Sequence, residues 1–453
     1  MTDTGPEPAV FPVTKWQHYL LDEAEHPDAT DDFRERNLLS NAFLVSSGID
    51  LRRARRAVQK LFNRHDSLRI RFARIKGKWR ALIAPSVAEM IHVVDLDGLD
   101  DAAFLARVSD LANAAMPLVD TPLAQIIIGR SGSRGDVLIT RVHHAITDGH
   151  GMLLLIEDLI KFLMGIPIFG RAISHADYIA HHQSPPPSRA AEIDAFWKDM
   201  HRDPPKAPNV GRRAKGLEPL LHAAGRVKPQ KMRCTVTAES LQRLEERATS
   251  GNTTATRMLF AGYLEALCQC YDLDRVMFTA NVGRTDPAMY TYMGLHTLTP
   301  IMIYRSQGAQ GFSDAAQAFG DMFVQAMDHL PADAAWRHSE AFYALIKAGA
   351  YPTQFSLRQP DPKSPLARST FREGFYKNFD EEQRIGPFKF TPLDVSVKRR
   401  NFADMALDVG PPKRRTGFEI YFDAISFTQA EVRTLGDKMC HLTGLEQEEV
   451  VFA

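Results

Sequence analysis

Cysteine is scarce in this chain: Cys234, Cys268, Cys270 and Cys440 are the only four in 453 residues. They are too few for a disulfide scaffold and show no zinc-ligand spacing, so a reduced, intracellular protein is the expectation. Long apolar runs are missing too. No window of about 18 uninterrupted apolar residues suggests a membrane span. The N-terminal "MTDTGPEPAVFPV" lacks a charged region followed by an apolar stretch, so it does not read as a signal peptide. The expected compartment is the cytoplasm. An excess of one charge is also absent: 55 Lys and Arg balance 55 Asp and Glu. That balance gives no footing to a nucleic acid as the main partner. There is no internal repeat and no low-complexity tract. What the chain does have is bulk, since 44% of its residues are hydrophobic, enough for two or three domain-sized units.

The first dozen residues read as a flexible lead-in. "LRRARRAVQKLFNRH" places Leu51, Ala54, Val58 and Leu61/Phe62 on one face and predicts an amphipathic helix. Its arginines fall on the other face, as a solvated surface or as a docking patch for an acidic partner. "SLRIRFARIKGKWRALIA" alternates around a Lys-Gly turn and predicts a β-hairpin. "GDVLITRVHH" is a turn and then an apolar strand; "GMLLLIEDLIKFLMG" is a helix apolar on most sides, hence buried. The Ser/Pro run at 184–188 reads as a linker, which puts a boundary between two halves, 1–184 and 185–453. The second half alternates strands and helices again, and 351–416 stays ambiguous. The fold class expected is mixed α/β (α+β).

The loop between strand and helix, "RVHHAITDGHG", carries the chemistry-bearing residues. A histidine at a strand end can serve as a general base, because its ordinary pKa lies near working pH. Neighbouring strand residues point to opposite sides, so one of His143 and His144 faces a reaction space and the other the interior. Asp148 either caps the following helix or pairs with a distant arginine. Gly149 permits a tight turn and close approach of backbone or substrate. A metal site is disfavoured, because the spacing of His143, His144, Asp148 and His150 matches no standard zinc pattern. A serine hydrolase is disfavoured by the lack of a Gly-x-Ser-x-Gly elbow.

"HHAITDG" resembles the His-His-x-x-x-Asp-Gly signature of the chloramphenicol-acetyltransferase-like acyltransferases, and in particular the condensation domains of nonribosomal peptide synthetases. Other motifs follow in order. "RHDSLRIRF" (64–72) resembles the second condensation motif, with Asp66 for Glu and Ile70 for Thr. "FPVTKWQHYLL" keeps Gln17 of the first motif, and "HADYIAHH" keeps Asp177 and Tyr178 of the fourth. "TANVGRTDPAMYTYMGLHTLTP" keeps Gly294 and Thr299 but has His296 and Leu298 where the family has Phe and Asn. His150-Gly151 replace the frequent Trp-Ser or Val-Ser.

The resemblance implies two acetyltransferase-like lobes in a V-shaped pseudo-dimer around a central tunnel, residues 1–184 forming the first lobe. It implies that His144 is the catalytic base or oxyanion stabiliser, with His143, Asp148 and Gly149 completing the catalytic motif. Asp148 would pair with Arg284 in a structural salt bridge, and His150, Gly294 and His296 would lie along the tunnel. No cofactor is bound permanently. The donor would be the phosphopantetheine thioester of an acyl or peptidyl carrier protein recruited in trans, or coenzyme A. The acceptor would be a small-molecule amine or alcohol. The leading expectation is a free-standing condensation-type acyltransferase forming an amide or ester in natural-product biosynthesis. A coenzyme A-dependent O- or N-acyltransferase, wax-ester-synthase-like enzymes included, and a non-catalytic recruitment domain stay open beside it.

Overall fold

A computed structural model describes residues 7–25, 37–86, 91–182, 189–208, 229–280, 282, 287–297, 299–308, 312–330, 353–357, 382–393, 395, 405–409 and 416–452. The chain divides into two compact units. One comprises Met1–Ser184, Gly283–Thr297 and Pro360–Arg399; the other comprises Pro185–Val282, Leu298–Gln359 and Arg400–Ala453. Arg284 and the 184–188 run lie outside the described residues.

The first unit starts with a strand where a loose lead-in was expected. β1 (Ala9–Pro12) pairs antiparallel with a later strand, so "AVFP" is held by ladder hydrogen bonds despite its proline, which closes the strand. Helix α1 (Lys15–Glu25) and β2 (Leu38–Val45) follow. Next is α2 (Leu51–Arg64). Asp50 caps it by accepting the Arg53 N–H at 2.7 Å, and Ala54, Ala57, Val58, Leu61 and Phe62 are its buried face. β3 (Ile70–Ile75) and β4 (Lys78–Ile83) form the hairpin that "RIKGKW" predicts, with Lys76 and Gly77 both at positive φ, 52° and 74°, as a tight two-residue turn requires.

β5 (Ile91–Asp95), α3 (Asp101–Asn113) and β6 (Ala124–Arg130) lead to β7 (Asp136–His143). β7 lies between β2 and β6 in a six-stranded sheet, and all eight of its residues are buried. Covering on both faces is why Val137, Leu138 and Ile139 follow one another with no polar alternation. β7 turns into α4 (Gly149–Met164), which stops at Gly165 in the left-handed region, and α2 packs against α4. The short α5 (His175–His182) follows.

The second unit contains α6 (Ala190–Met200), β8 (Pro229–Val236), α7 (Ala238–Ser250), α8 (Ala255–Tyr271), β9 (Arg275–Ala280), β10 (Ile301–Arg305), α9 (Phe312–Asp328) and β11 (Thr353–Leu357). The chain then supplies β12 (Gln383–Ile385) and β13 (Phe388–Pro392) to the first unit, where β13 pairs with the free edge of β2. The described parts of the ambiguous 351–416 span are thus short strands. β14 (Met405–Val409), β15 (Gly417–Asp423), α10 (Gln429–Thr443) and β16 (Gln447–Phe452) complete a seven-stranded sheet in the second unit. Its core gathers Tyr263, Phe278, Phe319 and Phe422. No helix among the described residues is long and apolar enough to cross a membrane.

Candidate active site

The end of β7 and the start of α4 hold the loop between them. His143 closes the strand opposite Leu38 and donates its backbone N–H to the Leu123 carbonyl at 2.8 Å. Its ring is 1% exposed, and Nδ1 accepts the Ala145 N–H at 3.1 Å. A neutral ring held this way carries its proton on Nε2. His144 is one residue further, and the pleat turns it the other way. Its backbone N–H donates to the Asn37 carbonyl at 2.8 Å, while its ring is half-buried and makes no hydrogen bond among the described residues. The turn is tied from behind by Gln17, whose Nε2 donates to the Ala145 carbonyl at 3.1 Å.

Asp148 is fully buried and caps α4. One carboxylate oxygen accepts the Gly151 N–H at 2.8 Å and the other accepts the His296 N–H at 2.9 Å. A carboxylate at this position also answers the positive end of the helix dipole. The cap is one of the two roles the sequence left open for Asp148; the proposed partner of the other, Arg284, is not among the described residues.

Close approach of backbone belongs to Gly151, not to Gly149. A Cβ on Gly149 would meet nothing within 4 Å, whereas one on Gly151 would stand 2.2 Å from the Met293 carbonyl oxygen and 2.2 Å from Thr147 Oγ1. Gly149 takes no positive φ and sits exposed at the first turn of α4. The physical reason is direction: at Gly151 the helix faces the segment 290–296, and at Gly149 it faces open space.

That segment touches the loop at several points. Thr147 Oγ1 donates to the Met293 carbonyl at 2.9 Å, and His150 Nε2 bonds the Tyr290 carbonyl at 2.9 Å. Gly294 is buried, with the Tyr292 ring folded over it; a Cβ there would lie 2.1 Å from that ring. His296 is buried as well, its ring edge-on to Tyr178 at 5.6 Å. Of the residues expected along a tunnel, His150 is thus half-buried over Tyr290, while Gly294 and His296 are covered by neighbouring rings.

Behind the segment lies a cluster that the sequence reading did not single out. His175, at the start of α5, is fully buried. Its Nδ1 is hydrogen-bonded to the Tyr292 hydroxyl at 2.9 Å, and its backbone N–H donates to Asp66 at 2.9 Å. Tyr178 and Tyr292 stack with centroids 4.2 Å apart. Burial pushes the His175 pKa down to about 4, so the ring is neutral at physiological pH. Burial also raises the Asp66 carboxyl above its ordinary range, against the lowering pull of the His175 N–H. His175 stands inside the "HADYIAHH" motif, but Asp177 and Tyr178 carried the resemblance there. The motif "RHDSLRIRF" is architectural in the same way: Arg64 Nε and His65 Nε2 both reach Asp158 of α4, at 3.1 and 2.8 Å.

The family model described as the condensation domain matches residues 31–336. Surfactin synthase subunit 1 of Bacillus subtilis (strain 168) is 27% identical over 199 residues, 42% of this chain and 5% of that protein. Tyrocidine synthase 3 of Brevibacillus parabrevis is 22% identical over 409 residues, 88% of this chain and 6% of that protein. The chain therefore spans about a twentieth of the length of these relatives. Among solved structures, the X-domain from teicoplanin biosynthesis superposes with a TM-score of 0.73 at 15% identity, covering 97% of this chain and 95% of that one. The structure of condensation domain-mediated chain release from the enacyloxin polyketide synthase superposes with a TM-score of 0.69 at 17% identity, covering 98% of this chain and 83% of that one. At such identities these likenesses show a shared mixed α/β fold.

Proposed function

This chain belongs to the condensation-domain family, and from that premise we propose that it moves an acyl or peptidyl group from a carrier-protein thioester to an amine or hydroxyl. The observation that carries the reading is the division of labour between the two histidines. His143 is buried and held by Ala145, while His144, with no side-chain hydrogen bond among the described residues, turns to the half-open side of the same strand end. A neutral His144 ring takes the acceptor's proton as its nitrogen or oxygen attacks the thioester carbonyl carbon. The tetrahedral intermediate then expels the thiolate as the C–S bond breaks, and the imidazolium returns the proton to sulfur. A base in this position contributes about 10²–10⁴-fold in rate. The open space above Gly149, where a side chain would meet nothing within 4 Å, leaves room for the donor beside the helix N-terminus. An oxyanion there also benefits from the dipole.

The test is intact-mass spectrometry of acyl transfer, with the same acyl group offered on a carrier protein and on coenzyme A and a panel of amines and alcohols as acceptors. Transfer from the carrier protein, lost in His144→Ala, is the expected result. Efficient transfer from coenzyme A alone would assign the chain to the coenzyme A-dependent acyltransferases. Transfer that survives His144→Ala would remove His144 as the base. No transfer from either donor would favour a recruitment role without catalysis.

A further inference from the structure

We propose that Tyr292 and His175 are positioning residues: through the segment 290–296, their hydrogen bond sets the geometry of the turn that presents His144. The inference rests on the acyl-transfer reading of His144 for its kinetic consequence, not for its structural one.

The turn is pinned at two ends. On the strand side, His144 and Ala145 are held by the Asn37 carbonyl and by Gln17. On the helix side, Thr147 donates to Met293, His150 bonds Tyr290, and Asp148 accepts the His296 N–H. Three successive anchors thus come from one seven-residue stretch, and Gly151 lets its backbone come within van der Waals reach. Where that stretch sits decides where the turn sits.

The stretch has little regular structure of its own. Among the described residues a short 3-10 turn at Pro287–Met289 directly precedes it, and no strand ladder runs through 290–297. Side chains hold it instead. Tyr292 is 1% exposed, stacks on Tyr178, folds over Gly294 and reaches His175. His175 is fixed in turn: α5 starts on it, and its backbone N–H is held by Asp66, which follows directly on the Arg64 and His65 anchors to α4. A rigid path therefore runs from α4 through "RHD" to His175, Tyr292 and the stretch, and back to the first turn of α4. Among the described residues Tyr292 is the only hydrogen-bond partner of the His175 ring. Removing the hydroxyl leaves the buried ring without one and frees the stretch to shift while the aromatic stack stays filled. Displacement of a catalytic group by about 1 Å can reduce the rate on the order of 10²-fold.

The test uses Tyr292→Phe, His175→Leu, His175→Asn, Thr147→Val and Thr147→Ser in the full chain. Asparagine offers an amide near the position of Nδ1, and serine keeps the donor to Met293. The His144 ring is observed by NMR with ¹³C-labelled histidine, its resonance assigned by loss in His144→Gln. Backbone exchange is followed over 147–151 and 290–296, and kcat and KM are measured for carrier-dependent transfer. Tyr292→Phe, His175→Leu and Thr147→Val are expected to move the His144 resonance, speed exchange in both stretches, and lower kcat about tenfold or more with KM nearly constant. His175→Asn and Thr147→Ser are expected to restore the wild-type resonance. Folded variants that melt lower but keep the His144 resonance, the exchange pattern and kcat would overturn the proposal and leave a purely structural cluster. A wild type that transfers no acyl group would sink the functional reading, while the resonance and exchange would still decide this one.

Discussion

Gly149 and Gly151 stand two residues apart and differ in what a side chain would meet. Gly149→Ala adds a methyl to open space at the first turn of a helix, a change that normally stays within about 0.5 kcal/mol. Gly151→Ala drives a methyl into the Met293 carbonyl and Thr147 Oγ1, and overpacking of this kind costs about 1–3 kcal/mol. Thermal melts of the two variants should therefore separate by several degrees, with only Gly151→Ala melting low. Equal melting temperatures would refute the close approach. His175 makes a second prediction at this scale. Its pKa is about 4 when folded, against an ordinary value of 6.5 in the unfolded chain. Between those values the unfolded chain binds the extra proton. The ring's contribution is therefore complete above pH 6.5 and is lost as the pH falls toward 4, by something on the order of 3 kcal/mol. Urea unfolding from pH 7 to pH 4 should show a steeper loss for wild type than for His175→Asn. Parallel curves would mean that His175 does not titrate across this window.

Helix α2 is arranged against its own electrostatics. Six cations and no acid occupy Leu51–Arg64, and its first turn carries Arg52 and Arg53 at the positive end of the dipole. Arg52, Arg55, Arg56 and Lys60 project from the exposed side, recurring at helical three- and four-residue spacings that set like charges side by side. None of the four makes an ion pair among the described residues. Replacing Arg52, Arg55 and Arg56 with Glu should therefore leave the melting temperature level or raise it slightly. If the face docks an acidic carrier protein, the same change slows carrier-dependent transfer and flattens its salt dependence. Unchanged rates in a well-folded variant would return the face to plain solvation. Elements of this kind were legible in the sequence. The 3.6-residue period of α2 and the Lys-Gly turn between β3 and β4 are local signals, and the structure has both where the pattern puts them. β1 was not legible, because a four-residue edge strand has no pattern apart from its partner β4.

At the scale of the molecule, sequence order and spatial order part company. The stretch Gly283–Thr297 and the segment Pro360–Arg399 belong to the same unit as Met1–Ser184, although each comes from beyond the linker-like run. The first supplies the Met293 and His296 contacts to the loop between β7 and α4, and the second supplies β13 to the edge of β2. A fragment ending at residue 184 therefore lacks both. It would leave the β2 edge unpaired and Asp148 without the His296 N–H. Expressed alone, this fragment should show no cooperative melt, and adding it to the rest of the chain in trans should not restore one. A sharp, native-like transition from the fragment would show that the returning segments are dispensable.

The sequence alone determined what depends on near neighbours in the chain. It specified the buried strand β7, the turn after it, the helix α4, and which kinds of residue could do chemistry there. The ordered motifs pointed to the condensation-domain family, to which the chain belongs. The tertiary structure alone decided which of two glycines is constrained, which oxygens of Asp148 meet which amides, and that Tyr292 and His175 stand behind the loop. The long-range contacts among these join residues separated by 117 to 148 positions. Spacing in a sequence encodes periodicity within an element; it carries no record of which distant carbonyl an element will be folded against.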